Sequence, residues 1–245
     1  MAILAEIAIF SRGGGEFLSR WGHYLSGVTW IGLLYYFNFV QVPAFAGFEA
    51  AGRTEAIAKL VPRALWWFRW GAVLTLGFGI SILGFADEFN ADYFKSAPGI
   101  SISTGILMAL IMFLNVWLVI WPNQKIVIAN AQGSPIEGKD PAAAGRKALM
   151  ASRTNALFSI PMLFFMAATS HFVGRAGFDA SESGHRAAFQ GISFVIIILL
   201  ELNALGVLGG VGPAPQRKYL EKHRDTIIAG FVLAAVLYIL FDIFF

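Results

Sequence analysis

The sequence predicts an all-α integral membrane protein, a bundle of about six transmembrane helices, and three observations carry that reading. Hydrophobic residues fill 57% of the 245 positions and charged residues 13%, a balance far from that of soluble domains. The apolar residues gather in runs of about 20 that are almost free of charge, the length that crosses the hydrocarbon of a bilayer. The basic residues lie in short segments between the runs. The net charge of +3 and the pI near 9.3 therefore read as topology signals, and no nucleic-acid partner is expected.

The spans fall near residues 20–45, 65–86, 100–121, 155–174, 187–210 and 226–245, and together they form one transmembrane domain over 20–245. Residues 1–19 precede it as an N-terminal interfacial segment. Its opening run, MAILAEIAIF, is too short to span, carries Glu6, and lacks the basic start and small-residue cleavage site of a signal peptide. The glycines Gly13 to Gly15 are expected to break the chain before the first span. Six spans bring both termini to one side. Of the 18 Lys and Arg residues, thirteen follow the first, third and fifth spans, among them Lys59, Arg146 and Lys222, and five lie opposite. Basic residues stay inside, so both termini are expected on the outer, periplasmic side of a bacterial inner membrane. The longest polar connection, about 122–154, holds Pro122, Pro135, Pro141 and the stretch AAAGRKALMASR, which predicts a short amphipathic helix on the inner surface.

The chain has no cysteine, which excludes disulfides, thiolate metal sites, iron–sulfur clusters and covalent haem attachment. Histidine is then the natural cofactor ligand. His23 opens the first span, His171 closes the fourth, His185 precedes the fifth and His223 lies on the inner side. An imidazole within a bilayer is costly without a partner, so these residues are functional candidates; the plainer alternative is an interfacial ring bonded to a carbonyl or a head group. On a helical projection Gly27, Trp30, Leu34, Asn38 and Gln41 share the His23 face. Gly27 either packs helices closely or leaves room for a porphyrin beside the ring. His171 likewise has Ala167, Ala168 and Gly174 nearby. Two such histidines at equal depth could ligate one haem b, with Gly27 and Trp30 bordering it. The chemical alternative is copper held by His23, His171 and His185.

Glu201, in FVIIILLELNALG, is a carboxylate inside the fifth span, and Arg69, in ALWWFRWGA, lies at a comparable depth. They are expected to form an intramembrane ion pair, with Asn203 or Asn38 as other partners for the acid. Trp21, Trp66, Trp67, Trp70, Trp117 and Trp121 fall at span ends, where indoles favour the head-group region.

The run RWGHYLSGVTWIGLLYYFNFVQ, Arg20 to Gln41, and the run WWFRWGAVLTLGFG, Trp66 to Gly79, resemble the first two helices of the membrane domain of cytochrome-linked urate hydroxylase, the bacterial urate oxidase N-terminal family. The matching elements are His23, Gly27, Trp30-Ile31-Gly32 and the Trp-Phe-Arg-Trp block. The spacing of His23, Trp30 and Gly32 is also similar to the first helix of bacterial protoporphyrinogen oxidases and copper-resistance membrane proteins. The resemblance implies an oxidoreductase-like membrane domain that passes electrons from urate to a cytochrome c. In the family that cytochrome is fused at the C-terminus; this chain has no cysteine to hold its haem, so a separate cytochrome c is expected as partner. The alternatives from other classes are a non-catalytic subunit of a larger respiratory or oxygenase complex, in an oligomer with other membrane subunits, and a copper or small-solute membrane protein.

Overall fold

Six helices long and apolar enough to cross a membrane dominate the computed structural model, which describes residues 8–245. They are α1 (Arg12–Ala46), α2 (Ala50–Phe85), α3 (Ala97–Ala131), α4 (Pro141–Ala176), α5 (Ser183–Ala204) and α6 (His223–Phe244). No strand occurs among the described residues. Several starts carry capping chemistry. Ser11 Oγ accepts from the Gly14 N–H, Ser96 Oγ from the Gly99 N–H and Asp140 Oδ1 from the Ala142 N–H. Pro98 and Pro141 lie in the first turns of α3 and α4, where the missing N–H is not needed.

The helices exceed their expected bounds. α3 continues through Pro122 to Ala131 and α4 starts at Pro141, so most of the polar stretch 122–154 is helix, and only residues 132–140 form the connection. The expected amphipathic surface helix is instead the first part of α4. Its Ala, Arg, Lys and Met residues are good helix formers, and the two extensions pack on each other where Gly145 faces Val127. The glycines 13–15 do not break the chain either; they lie within α1, where a Cβ on Gly15 would fall 2.6 Å from the Phe85 ring. Most of the run MAILAEIAIF lies outside the described residues. At the other extreme α5 stops at Ala204, short of residue 210. Gly206, Gly209 and Gly210 there take positive φ, which side-chain-bearing residues adopt only at a cost.

Alternating helices bring both ends of the described chain to one end of the bundle, the terminal end. Arg12 Nε donates to the Phe85 carbonyl at 2.9 Å there, and the Asp179 N–H donates to the Phe245 carbonyl at 2.9 Å. The opposite, basic end holds the α1–α2, α3–α4 and α5–α6 connections. The last of these winds around Arg217, which is 1% exposed and donates to the carbonyls of Leu208, Gly209 and Gly212 and to Asn203 Oδ1.

α4 is the central helix. Over half of its apolar window, 56%, is buried inside the bundle, against 28% for α1, α2 and α6. Small residues permit this, because helices in lipid associate by close packing rather than by hydrophobic burial. A Cβ on Gly105 of α3 would fall 2.9 Å from Met166 Cγ, and one on Gly230 of α6 would fall 2.6 Å from Ile160 Cδ1. α1 and α2 form a second tight pair. It joins α4 through Tyr35 Oη, 2.8 Å from Ser159 Oγ, and through Asn38 Nδ2, which donates to Ser152 Oγ at 2.8 Å.

Candidate functional site

The Tyr35–Ser159 contact fixes the relative depth of the two candidate haem ligands. His23 lies twelve residues from Tyr35 toward the terminal end of α1, and His171 lies twelve residues from Ser159 toward the same end of α4. At 1.5 Å per residue each stands about 18 Å from the shared contact. Counted from the Asn38–Ser152 contact the two stand 15 and 19 residues away, so their depths agree to within about 6 Å.

Their surroundings differ. His23 turns onto α2, with Nδ1 2.8 Å from the Thr75 carbonyl oxygen. A carbonyl only accepts, so Nδ1 carries the proton, and Nε2 of the neutral ring keeps its lone pair. Such an outer hydrogen bond orients an imidazole for ligation. Gly79 makes room for the ring, since a Cβ there would fall 3.2 Å from His23 Cε1. At Gly27 a Cβ would meet only Thr75 Cγ2, at 4.0 Å, so room remains there between α1 and α2. Trp30 is 2% exposed, and its Nε1 finds no hydrogen-bond partner among the described residues.

His171 sits in one of three π-helical turns, Thr169–Val173; the others are Tyr36–Gln41 and Asn115–Ile120. The widened turn leaves the ring exposed on the α6 side. There it lines an apolar groove of about 480 Å³ with Phe164, Ala167, Ala168, Phe172 and Tyr238. His23 and His171 are thus held by separate helix pairs. His185 lies 5.9 Å, ring to ring, from Phe244, and His223 lies 6.3 Å from Phe39. Among the described residues no group of three or more His, Cys, Asp or Glu is placed to hold a metal ion, so His23, His171 and His185 do not assemble a copper site.

The expected ion pair does not form. The ion pairs among the described residues are Arg12–Asp87, Arg20–Glu16, Lys59–Glu55 and Arg146–Glu221. Glu201, 7% exposed, instead accepts from Asn115 Nδ2 at 3.1 Å, and the same amide donates to Asn155 Oδ1 at 2.9 Å. Asn155 Nδ2 completes the chain on the Met112 carbonyl at 2.9 Å. Arg69 has its guanidinium 3.5 Å from the Trp121 ring centroid and 5.5 Å from that of Trp117. The physical reason is direction: α3 stands beside both helices and offers an amide to the acid and indole faces to the cation. The carboxylate was legible in the sequence, but its partners were not. Asn115 and Asn155 are 40 residues apart and signalled only by being polar inside apolar runs.

Near the terminal end a second cavity, about 390 Å³, lies between the start of α3 and the α4–α5 connection. Its charged walls are Asp92, Lys95 and Arg186, beside Ser96, Ser181 and the Phe178 ring. Arg186 Nη1 is fixed by the carbonyls of Ala180 and Ser181. The neighbouring Asp179 carboxyl is held below its ordinary range by the Ser181 N–H. Burial and the Glu88 carboxylate push the Tyr93 phenol up, so it stays protonated. The cavity adjoins the groove: Phe178 of the one and Phe172 of the other meet at 5.9 Å between ring centroids.

Residues 89–179 match the urate oxidase N-terminal family. The matched segment is less than half of the chain. It runs from the α2–α3 connection through His171 to the α4–α5 connection, and it contains Asp92, Lys95, Ser96 and Phe178 of the cavity as well as five of the six groove residues. The segments Arg20–Gln41 and Trp66–Gly79, which carry the sequence resemblance, lie outside it. No curated protein and no solved structure matches the chain.

Proposed function

We propose that this chain is a membrane redox protein that binds haem b near the terminal end of its bundle and passes electrons from an oxidisable purine anion to a cytochrome c. The observation that carries the reading is the adjacency of three features at one corner: the cationic cavity, the apolar groove and the Phe172–Phe178 pair between them. The groove gives His171 the apolar and aromatic walls that suit a haem, and His23, on the separate α1–α2 pair at a comparable depth, has an oriented Nε2 that would have to be brought to the same iron. His171 and His23 are the proposed ligands, and the haem supplies one-electron redox chemistry when bound.

The chain's own groups do the rest. Lys95 and Arg186 attract an anion to the cavity, and the Phe178 ring gives a flat donor a face to stack on. Groove aromatics give the histidine an apolar wall. The matched family's printed description supports urate as the donor. The basic end, with Lys59, Arg146 and Lys222, belongs inside a bacterial inner membrane, and the terminal end outside, where a soluble cytochrome could accept the electrons. Anaerobic addition of urate to the purified oxidised protein tests the reading. The haem bands should shift to the reduced form, and Lys95→Gln with Arg186→Gln should raise the urate concentration needed about tenfold or more. A protein whose spectrum ignores urate at all concentrations would refute the donor assignment.

A further inference from the structure

The Trp-Phe-Arg-Trp block of α2 takes no part in the proposed redox site, yet it builds an aromatic cluster on the surface of the bundle. Trp66 and Trp67 meet edge to face at 4.9 Å, Trp66 and Trp70 lie 6.4 Å apart, and Trp70 meets Trp117 of α3 at 5.9 Å. Trp66, Trp67 and Trp70 are 47%, 59% and 43% exposed, so these indoles face outward. Exposed indoles at a span end mark the head-group level of a bilayer.

Within this cluster lie two cations that pair with no acid among the described residues. Arg69 stacks on Trp121 at 3.5 Å, and its Nε is used by the Leu65 carbonyl. Its two Nη atoms make no hydrogen bond among the described residues. Lys125, one turn beyond Trp121, holds Nζ 5.7 Å from the same ring. The whole of α2 and α3 contains one acid, Glu55, which lies fourteen residues from Arg69 and is already paired to Lys59. A guanidinium held flat by an indole keeps a fixed donor fork, so it loses little freedom on meeting an oxyanion. What such a surface lacks is a phosphate. At this depth the bilayer itself supplies one.

We propose that the α2–α3 face around Arg69 and Lys125 is a docking site for the phosphate of an anionic phospholipid in the leaflet at the basic end. Arg69 takes two phosphate oxygens through its Nη atoms, Lys125 adds a point charge, and the five indoles bracket the glycerol and upper acyl region. A zwitterionic lipid brings its own ammonium to compete with Arg69 and Lys125, so the site favours phosphatidylglycerol over phosphatidylcholine. The site holds whether or not the redox reading does.

The experiment is native mass spectrometry and thermal unfolding of the full chain in micelles doped with phosphatidylglycerol or phosphatidylcholine. The wild type should retain phosphatidylglycerol preferentially, by roughly fivefold for each cation, and unfold at a higher temperature with it. The pair Arg69→Gln and Lys125→Gln should bring the preference near unity while leaving stability in phosphatidylcholine unchanged. A control pair, Lys147→Gln and Lys218→Gln, removes equal charge from the same end and should keep the preference. Equal retention of both lipids by the wild type, or an equal loss in the control pair, overturns the site. So does full reproduction of the thermal shift by soluble glycerol phosphate.

Discussion

Replacing Asn115 with Leu removes the amide that serves two acceptors at once, Asn155 Oδ1 and Glu201 Oε2. Leucine keeps the number and branching of the side-chain heavy atoms and removes all hydrogen bonding, and its bulkier methyls add a packing cost that the double-mutant cycle below separates. In a soluble core each orphaned acceptor costs about 1–3 kcal/mol, which for two would be about 2–6 kcal/mol. Interhelical side-chain bonds in membranes average only about 0.6 kcal/mol, with a maximum near 1.7, because helices that are inserted but unassociated also find partners. The network is buried among three helices, so its two bonds should fall in the upper part of the membrane range, a loss of about 1–3 kcal/mol. Reversible unfolding in mixed micelles, followed by helical signal against denaturing detergent, measures it. The Asn115→Leu and Asn155→Leu pair should be non-additive by at least about 0.5 kcal/mol, because each change alone already breaks their mutual bond. A loss below about 0.5 kcal/mol, or additive losses, would refute the network.

Two further outcomes follow from the same coordinates. Arg153 is 3% exposed, and its Nε and Nη1 have no partner among the described residues, so Arg153→Met should leave stability in micelles unchanged or raise it by about 1 kcal/mol or more; a clear loss would show that the guanidinium is compensated. Glu221 is held below its ordinary carboxyl range by its hydrogen bonds to Arg146, at 2.8 Å between Nη1 and Oε2. Its stabilising effect should therefore be complete above the unfolded value near pH 4.3 and fade as pH falls through the lower folded value, and Glu221→Gln should flatten that limb of the stability profile.

How much of this was legible in the sequence follows from the physics of each signal. Span number and order came through because about 20 uncharged residues have no other use in so apolar a chain. Helix ends beyond the bilayer did not, because polar residues such as those of 122–154 read equally as loop or as solvated helix. His23 and His171 were visible as isolated imidazoles, and helix direction alone places both toward the same end of the bundle. Their facing was not visible: a helical projection assumes uniform turns, and His171 sits in a π-helical turn that rotates everything beyond it. The Glu201–Arg69 expectation failed for a related reason, since depth can be counted along a sequence but the helix standing between two others cannot. The charged cavity has no sequence signal, because Lys95 and Arg186 are 91 residues apart and meet only through the folded connection.

The central claim is a haem at the terminal end held by His171 and His23, and the visible spectrum of the purified protein and its histidine variants tests it most directly. The wild type should show a Soret band with low-spin haem features. His171→Ala and His23→Ala should each abolish that band or convert it to high spin, while His185→Ala leaves it unchanged. A colourless wild type, or a low-spin spectrum that survives both His171→Ala and His23→Ala in folded protein, would contradict it.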